Sequence, residues 1–424
     1  MKKIYLWMMA VSLVALGLSS CSDENDPVTP TNEKVSVTFR AKEAVEGTLT
    51  AEMMKGLKVL FTEVRSKNTT DCVLDEKGMG TVNLDKGTYD VSIEERVKNP
   101  QGTDSLVISV RMENVSINTA GQAVEGRVNV SPAGSMGAGF IFSEIFFNGE
   151  TNSGRMMHPD QYFVLFNPTS EVLYADGVSM AVTQHLSFAK KALWYDTYYP
   201  DRVPIGGFVT VPGNGREHPV QPGGRLVIAF TAVDHSKVEG YDHAVDLTGA
   251  DFEIYEGPDT KDVDNPDVPN MIVTNHKEKN GSYGFFFHPR GYVSPLLFKL
   301  ENGEKATVEK FIRENTTKSK TAVPKTKDTP ADTIEINIIS IKTDLILDGV
   351  QTSDVPQDIK TRVIPEKVDR GKFIVNGCHR QELAIRREIR VGSKIYYKDT
   401  NNSTVDFIMK KGQNSYPKGW RDKK

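Results

Sequence analysis

Two acidic-imidazole pairs, Asp234-His235 and Asp242-His243, stand close together with Asp246 and Asp251 just behind them. Imidazole nitrogens and carboxylate oxygens are the ligands that zinc and iron take, so His235, His243, Asp246 and Asp251 are the expected ligands of a divalent metal ion. Their spacing is not the i, i+4 pair of a helix-borne His-Glu-x-x-His site. The alternative is a polar loop whose imidazoles are solvated or cap backbone groups. Asp259, Asp262, Asp264, Asn265 and Asp267 crowd a stretch with Pro258 and Pro266. Hard oxygens at that density suit Ca²⁺, but the stretch lacks the Asp-x-Asx-x-Asx-Gly loop with its closing Glu. The same residues also serve as turn formers. Trp194, Tyr195, Tyr198 and Tyr199 cluster before Pro200. Aromatics on a loop offer large contact area at small entropic cost, which suits a sugar- or protein-binding surface. Equally, they could plug the open end of a β-domain.

Signatures of catalysis are missing. The chain has no Gly-x-Ser-x-Gly elbow, no Walker loop and no cysteine-protease context. Cys378 and His379 are adjacent, and neighbours on a strand face opposite ways, so they do not form a nucleophile and its base. Carboxylates are plentiful, yet no pattern selects two of them as an acid/base pair. The expectation is a protein that is not an enzyme. With 25% charged residues and a net charge of −4, no global basic surface invites nucleic acid. The basic tail, Lys410, Lys411, Lys418, Arg421, Lys423 and Lys424 with Trp420, reads as a solvated terminus.

The elements that must position these residues read as strands. Residues 35–39, 57–61 and 89–93 alternate apolar and polar, and 106–110 and 115–117 add two more. Asp75-Glu76-Lys77-Gly78 and Asp85-Lys86-Gly87 supply turn chemistry between them. Residues 34–130 therefore form one β-sandwich, and 131–137, rich in Gly, Ala and Ser, form a linker. Residues 138–424 form a second β-domain with strands at 141–149, 162–166, 225–230, 283–287, 334–341 and 345–347. The Lys-, Thr- and Glu-rich stretch 301–330 reads as a mobile surface insertion. The predicted fold class is all-β: two β-sandwich domains.

The N-terminus sets the address. Lys2 and Lys3, an apolar run over 4–18 and Ser19-Ser20 make residues 1–20 a secretory signal peptide. No other segment carries an apolar run of about 18 residues, the length needed to span a bilayer. Residues 21–33, acidic and then Pro-containing, form a flexible tether. Of the three cysteines, Cys72 and Cys378 lie in different predicted domains and are expected as two small buried thiols rather than a bridge.

Several of these motifs resemble known families. Leu18-Ser19-Ser20-Cys21 resembles the lipobox of bacterial lipoproteins, which implies that Cys21 is acylated and holds the chain on a membrane. Ser22-Asp23-Glu24-Asn25-Asp26 resembles the acidic export signal of Bacteroidota lipoproteins, implying an outer-membrane address that faces the cell exterior, with periplasmic retention as the alternative. The run from Asp75 through Gly87-Thr88-Tyr89-Asp90-Val91 is similar to the carboxypeptidase-regulatory, transthyretin-like sandwich. Ser143-Glu144-Ile145, Gln161 through Asn167-Pro168-Thr169, Ala175-Asp176-Gly177 and Gln221-Pro222-Gly223-Gly224 resemble a lamin-tail domain. That implies an immunoglobulin-like sandwich with an insertion over about 231–369. Gln161 and Val164 stand where lamin-tail domains usually carry glutamates. With Asp246 through Glu253 and Asp399 through Phe407, the set resembles a Bacteroidota lipoprotein family catalogued only as a domain of unknown function, number 4876.

The functional expectation follows from address and missing chemistry together. It is a cell-surface lipoprotein, a non-enzymatic binding or accessory module for nutrient or metal uptake beside an outer-membrane TonB-dependent transporter. Its partners are the membrane, through lipid, and the transporter; no nucleic acid is expected, and no cofactor other than a divalent metal ion. Two alternatives stand beside it, a metal-dependent hydrolase and a structural or adhesion protein.

Overall fold

The structure is a computed structural model that describes residues 34–44, 47–100, 105–133, 139–150, 160–169, 171–240, 244–274, 276–278, 281–323, 325, 331–354, 361–391 and 394–411. The signal segment, Cys21, the tether, 134–138, His243 and the tail from 412 lie outside the described residues. The N-terminal domain is one seven-stranded sheet of β1 (Lys34–Glu43), β2 (Lys58–Glu63), β3 (Thr69–Val73), β4 (Met79–Asp85), β5 (Gly87–Lys98), β6 (Ser105–Ile117) and β7 (Gln122–Pro132). Its path runs β3-β2-β5-β6-β7-β1-β4, antiparallel except where β1 pairs with β7. The expected alternation is visible in β1, where Val35, Val37 and Phe39 are buried between exposed or half-buried neighbours. The two edge strands meet: a Cβ on Gly80 of β4 would stand 2.9 Å from the Val73 carbonyl and 3.0 Å from Cys72 Sγ of β3. Only glycine lets the edges approach so closely, so the sheet curls into a nearly closed barrel. Ser131 and Pro132, expected in the linker, end β7 instead.

The second domain is a sandwich of two sheets. One has six strands, in the order Phe252–Glu253, Arg225–Ala229, Tyr162–Phe166, Ile141–Asn148, Glu382–Arg386 and Phe407–Lys411. The other runs Thr316–Val323, Asp332–Lys342, Arg202–Thr210, Val178–Thr183, Pro295–Lys299 and Ile346–Gly349, with Ile272–Thr274 added beside Arg202–Thr210. Phe142, Phe147, Phe163 and Leu165 meet Met180, Val182, Val209 and Leu297 between the sheets. Outer faces are covered as well. Val245, Leu247, Ala250 and Val268 pack on Tyr162 and Val164, and Val308, Phe311 and Ile312 pack with Phe208 and Phe298. Burial on both faces explains why Tyr162–Phe166 reads as an unbroken apolar run.

Segment 231–369, expected as an insertion, supplies Pro295–Lys299, Asp332–Lys342 and Ile346–Gly349 to the sandwich sheets. Their pairing partners are distant in sequence, which local pattern does not reveal. Residues 301–330 are not loop throughout, since Lys305–Asn315 is a helix and Thr316–Val323 a strand. Val308, Phe311 and Ile312 form a short apolar stripe at i, i+3, i+4 within polar surroundings. Finally, 284–287 is extended but outside any ladder; Phe285 and Phe287 are buried and Phe286 is 51% exposed.

Two features tie the molecule together. Arg386 is fully buried and donates to Asp348 at 2.5 Å, Asp399 at 3.0 Å and the Phe142 carbonyl at 2.7 Å. Asp369 accepts the amides of Gln351, Gly371 and Ser403, and Asp406 accepts those of Thr400 and Asn402. Residues 399–407 thus act as a polar knot, because buried carboxylates require such partners. The second feature is the antiparallel pair Glu388–Val391 and Lys394–Tyr397. Ile389, Val391 and Tyr396 complete the N-terminal core, while Tyr397 packs on Ile141 and Phe166 of the sandwich. Adjacent residues of a strand face opposite ways, so Tyr396 and Tyr397 serve one domain each. The Tyr396 hydroxyl donates to the Val130 carbonyl, and Asn99 Nδ2 reaches the Arg390 carbonyl at 3.4 Å.

Candidate functional site

The aromatic cluster at 194–199 is packing, not surface. Trp194, Tyr195 and Tyr198 are buried against Ile336 and Ile338, with Tyr199 half-buried beside them. Tyr195 donates to the Arg362 carbonyl at 2.6 Å, and Tyr198 shares hydrogen bonds with Thr317 at 2.5 Å and Ser319 at 3.0 Å. The exposed aromatic surface expected there is therefore corrected to the plug. Strand Asp332–Lys342 supplies the apolar face that buries the rings. A groove of about 800 Å³ opens beside Tyr199, lined also by Pro200, Arg202, Lys342, Thr343 and Lys367. The Arg202 guanidinium is already committed to Ser340 and Asn315.

The expected metal ligands do not converge among the described residues. His235 is buried, and its Nε2 donates to the Thr231 carbonyl at 2.9 Å. Burial pushes its imidazole down to about 4, so it stays neutral at pH 7. Asp246 accepts the amide and hydroxyl of Thr248, and Asp251 accepts the Val227 amide at 2.7 Å. Those three groups are engaged by backbone and turns and do not converge on one point, and His243 lies outside the described residues. In the acidic stretch, Asp262 accepts the Glu256 amide, Asp264 accepts Asn270 Nδ2 and Asn265 donates to the Ala232 carbonyl. These are turn-forming bonds. Cys72 and Cys378 are both free thiols; Cys72 is buried and Cys378 half-buried. Burial raises the Cys378 thiol despite nearby Arg290, so it is not a poised thiolate. Cys378 and His379 sit on a loop, where His379 Nδ1 meets the Gly149 carbonyl at 3.0 Å.

One end of the sandwich presents a different arrangement. Asn148, at the close of Ile141–Asn148, donates to the carbonyls of Pro289 and Gly377 and accepts the Arg380 amide, binding two loops to one strand end. On the Pro289 loop and on 184–194, four rings form a row. Phe188 and Tyr292 lie 4.4 Å apart, Tyr292 and His288 stack at 4.7 Å, and Phe286 meets His288 edge-on at 6.0 Å. Arg290, its side chain 43% exposed, pairs at 2.6 Å with Asp354, whose side chain is 4% exposed. Asp354 Oδ1 has no hydrogen-bond partner among the described residues. Burial lowers His288, whose Nδ1 accepts the Arg290 amide at 3.1 Å, so a neutral ring carries its proton on Nε2. Burial and the Asp354 charge raise the Tyr292 hydroxyl. The exposed Phe286 ring at the end of this packed row, near an ion pair, can meet a ligand that has one apolar face and a polar edge. Sequence reasoning missed it because the rings come from separated segments. The one available signal was Phe286, the odd residue of an apolar triplet.

A second convergence was also missed. Asp176, Glu217 and His218 place one ligand atom each within 4.8 Å of one another. Asp176 is buried; Oδ1 accepts the amides of Gly215 at 3.2 Å and Glu217 at 2.9 Å, and Oδ2 that of His218 at 2.9 Å. Burial alone would raise its carboxyl, but those amides outweigh it and hold the group below the usual range. Gly213, at φ +127°, is required here, since a Cβ would meet Asp176 Oδ1 at 2.0 Å.

Comparison with known proteins bears on fold and family. Residues 221–414 match the family model described as protein of unknown function DUF4876. That bears out the resemblance to the family numbered 4876, over this segment. A DUF4876 family protein from Bacteroides thetaiotaomicron VPI-5482 is similar in structure, with a TM-score of 0.53 and 19% identity over 88% of this chain and 94% of that one. Two DUF3823 family proteins, from Parabacteroides merdae ATCC 43184 and Bacteroides ovatus ATCC 8483, align over 35% and 36% of this chain and 66% and 67% of theirs. Their identities are 11% and 12% and their TM-scores 0.17 and 0.16, too low to bear on the fold. No curated protein matches the sequence. Among the described residues, no helix is long and apolar enough to cross a membrane.

Proposed function

We propose, on the premise that residues 221–414 belong to the family of proteins of unknown function DUF4876, that this chain is a lipid-anchored cell-surface protein that works by binding. The observation that carries the binding role is the ring row Phe188–Tyr292–His288–Phe286 with the Arg290–Asp354 pair at its side. The rings supply contact area, and the ion pair supplies orientation. Loops at the end of a rigid sandwich are suited to this task, since the scaffold holds the side chains without needing them for its core. The anchoring half of the reading rests on the sequence: the signal-like 1–20, Cys21 and the acidic 22–26. Held there, the protein presents its ligand beside an outer-membrane transporter.

The test uses the intact protein in its own outer membrane. Purification through a C-terminal tag is compared for the native chain, Cys21→Ala and the double variant Phe286→Ala/Tyr292→Ala. The expected result is that the native chain co-purifies a transporter and its cargo. The double variant should stay on the membrane but lose the cargo, and Cys21→Ala should leave the membrane. A Cys21→Ala protein that remains on the cell surface overturns the anchor. Unchanged cargo with the double variant overturns the binding face.

A further inference from the structure

We propose that Asp176, Glu217 and His218 form a binding site for one divalent metal ion of the zinc class. The proposal is independent of the ring row and uses none of its residues. Imidazole and carboxylate are the nitrogen and oxygen donors that such ions take, at about 2.0–2.2 Å. In the tetrahedral arrangement such ions prefer, two donors at that length stand about 3.4 Å apart. The three ligand atoms already lie within 4.8 Å of one another, and Glu217 is exposed, so a small rotation of its side chain closes the remaining gap.

The site is half-built without the ion. A carboxylate offers about four lone-pair positions, and three of those on Asp176 are taken by the amides of Gly215, Glu217 and His218. These bonds fix the carboxylate in place. The same bonds order the loop, so Glu217 and His218 need no backbone rearrangement. Gly213 and Gly303 hold that loop in place, the Gly303 amide donating to the Gly213 carbonyl at 2.8 Å. His218 packs its ring on Phe252 at 5.0 Å, which limits its swing. Among the described residues, neither the His218 ring nor the Glu217 carboxylate has a hydrogen-bond partner, so binding an ion breaks no existing bond. Charge favours it too. Lys299 is the cation beside Asp176, with its ammonium on the Tyr174 carbonyl at 2.6 Å. It balances one of the two carboxylates and leaves the other unmatched.

The experiment is isothermal titration of zinc chloride into the intact chain and into Glu217→Gln, His218→Ala and the double variant. Asp176 is left unchanged, because its loss would also strip three backbone amides of their acceptor. The native chain should bind one zinc equivalent, each single variant should weaken binding at least tenfold, and the double variant should abolish it. Melting temperature gives a second readout: zinc should raise that of the native chain and not that of the double variant. Absence of binding up to 1 mM zinc overturns the proposal. So does one-equivalent binding that survives the double variant unchanged, because the ion then sits elsewhere.

Discussion

His235 illustrates at the level of one residue how burial decides chemistry. The imidazole is fully buried, with Nε2 on the Thr231 carbonyl, so bulk water does not solvate a charge there. Its folded value of about 4 lies below the ordinary 6.5, so the unfolded chain binds a proton in that interval that the folded chain refuses. Stability from this residue is therefore whole above pH 6.5 and declines as pH falls through about 4, by about 3 kcal/mol at the limit. Asp160 and Glu253, both raised to about 7 by burial, act in the opposite sense and favour the fold at lower pH. Urea unfolding at pH 7, 6 and 5 separates the two effects. Between pH 7 and 5 the stability of the native chain should shift toward loss relative to that of His235→Gln, and equal slopes would show that this imidazole does not carry the acid sensitivity. The sequence identified His235 as a residue of interest, but its role depended on strand Arg225–Ala229 and the loop folding over it, which no local pattern records.

At the level of elements, the helix Lys305–Asn315 separates what was legible from what was not. The alternation of β1, β2 and β5 could be read directly, because each buries one face only. The helix could not, because three apolar residues in a Lys-, Thr- and Glu-rich stretch resemble a solvated loop. Packing on a sheet makes it a helix: Phe311 sits 5.6 Å from Phe208 and 5.3 Å from Phe298, ring to ring. Tertiary burial of one face supplies most of the stability of a helix this short. Phe311→Ala should destabilise the fold by about 2 kcal/mol, at the low end for a phenylalanine truncation because the ring is only half-buried. The corresponding loss should appear in equilibrium unfolding followed by circular dichroism. A change below about 0.5 kcal/mol would mean that the helix is ornamental to the sheet. The same non-locality hid the ring row, whose four members come from two loops that only the finished sandwich brings together.

At the level of the whole molecule, the first half is not self-sufficient. Boundaries at 34–130 and 138–424 follow the chain, but the core of the first includes Ile389, Val391 and Tyr396 from near the end of the second. The isolated segment 34–133 should therefore expose an apolar patch, bind a hydrophobic dye and unfold at lower urea than the same sheet within the full chain. Equal stability of the two would refute the shared wall. A ribosome delivers this protein from its first residue onward. All seven strands of the barrel are available once residue 132 has emerged, yet the barrel has no lid over Val130 until residue 396 follows. Contacts so far apart in sequence are slow to form. During that interval the barrel is an open vessel, its apolar interior still waiting for a wall made near the other end of the chain.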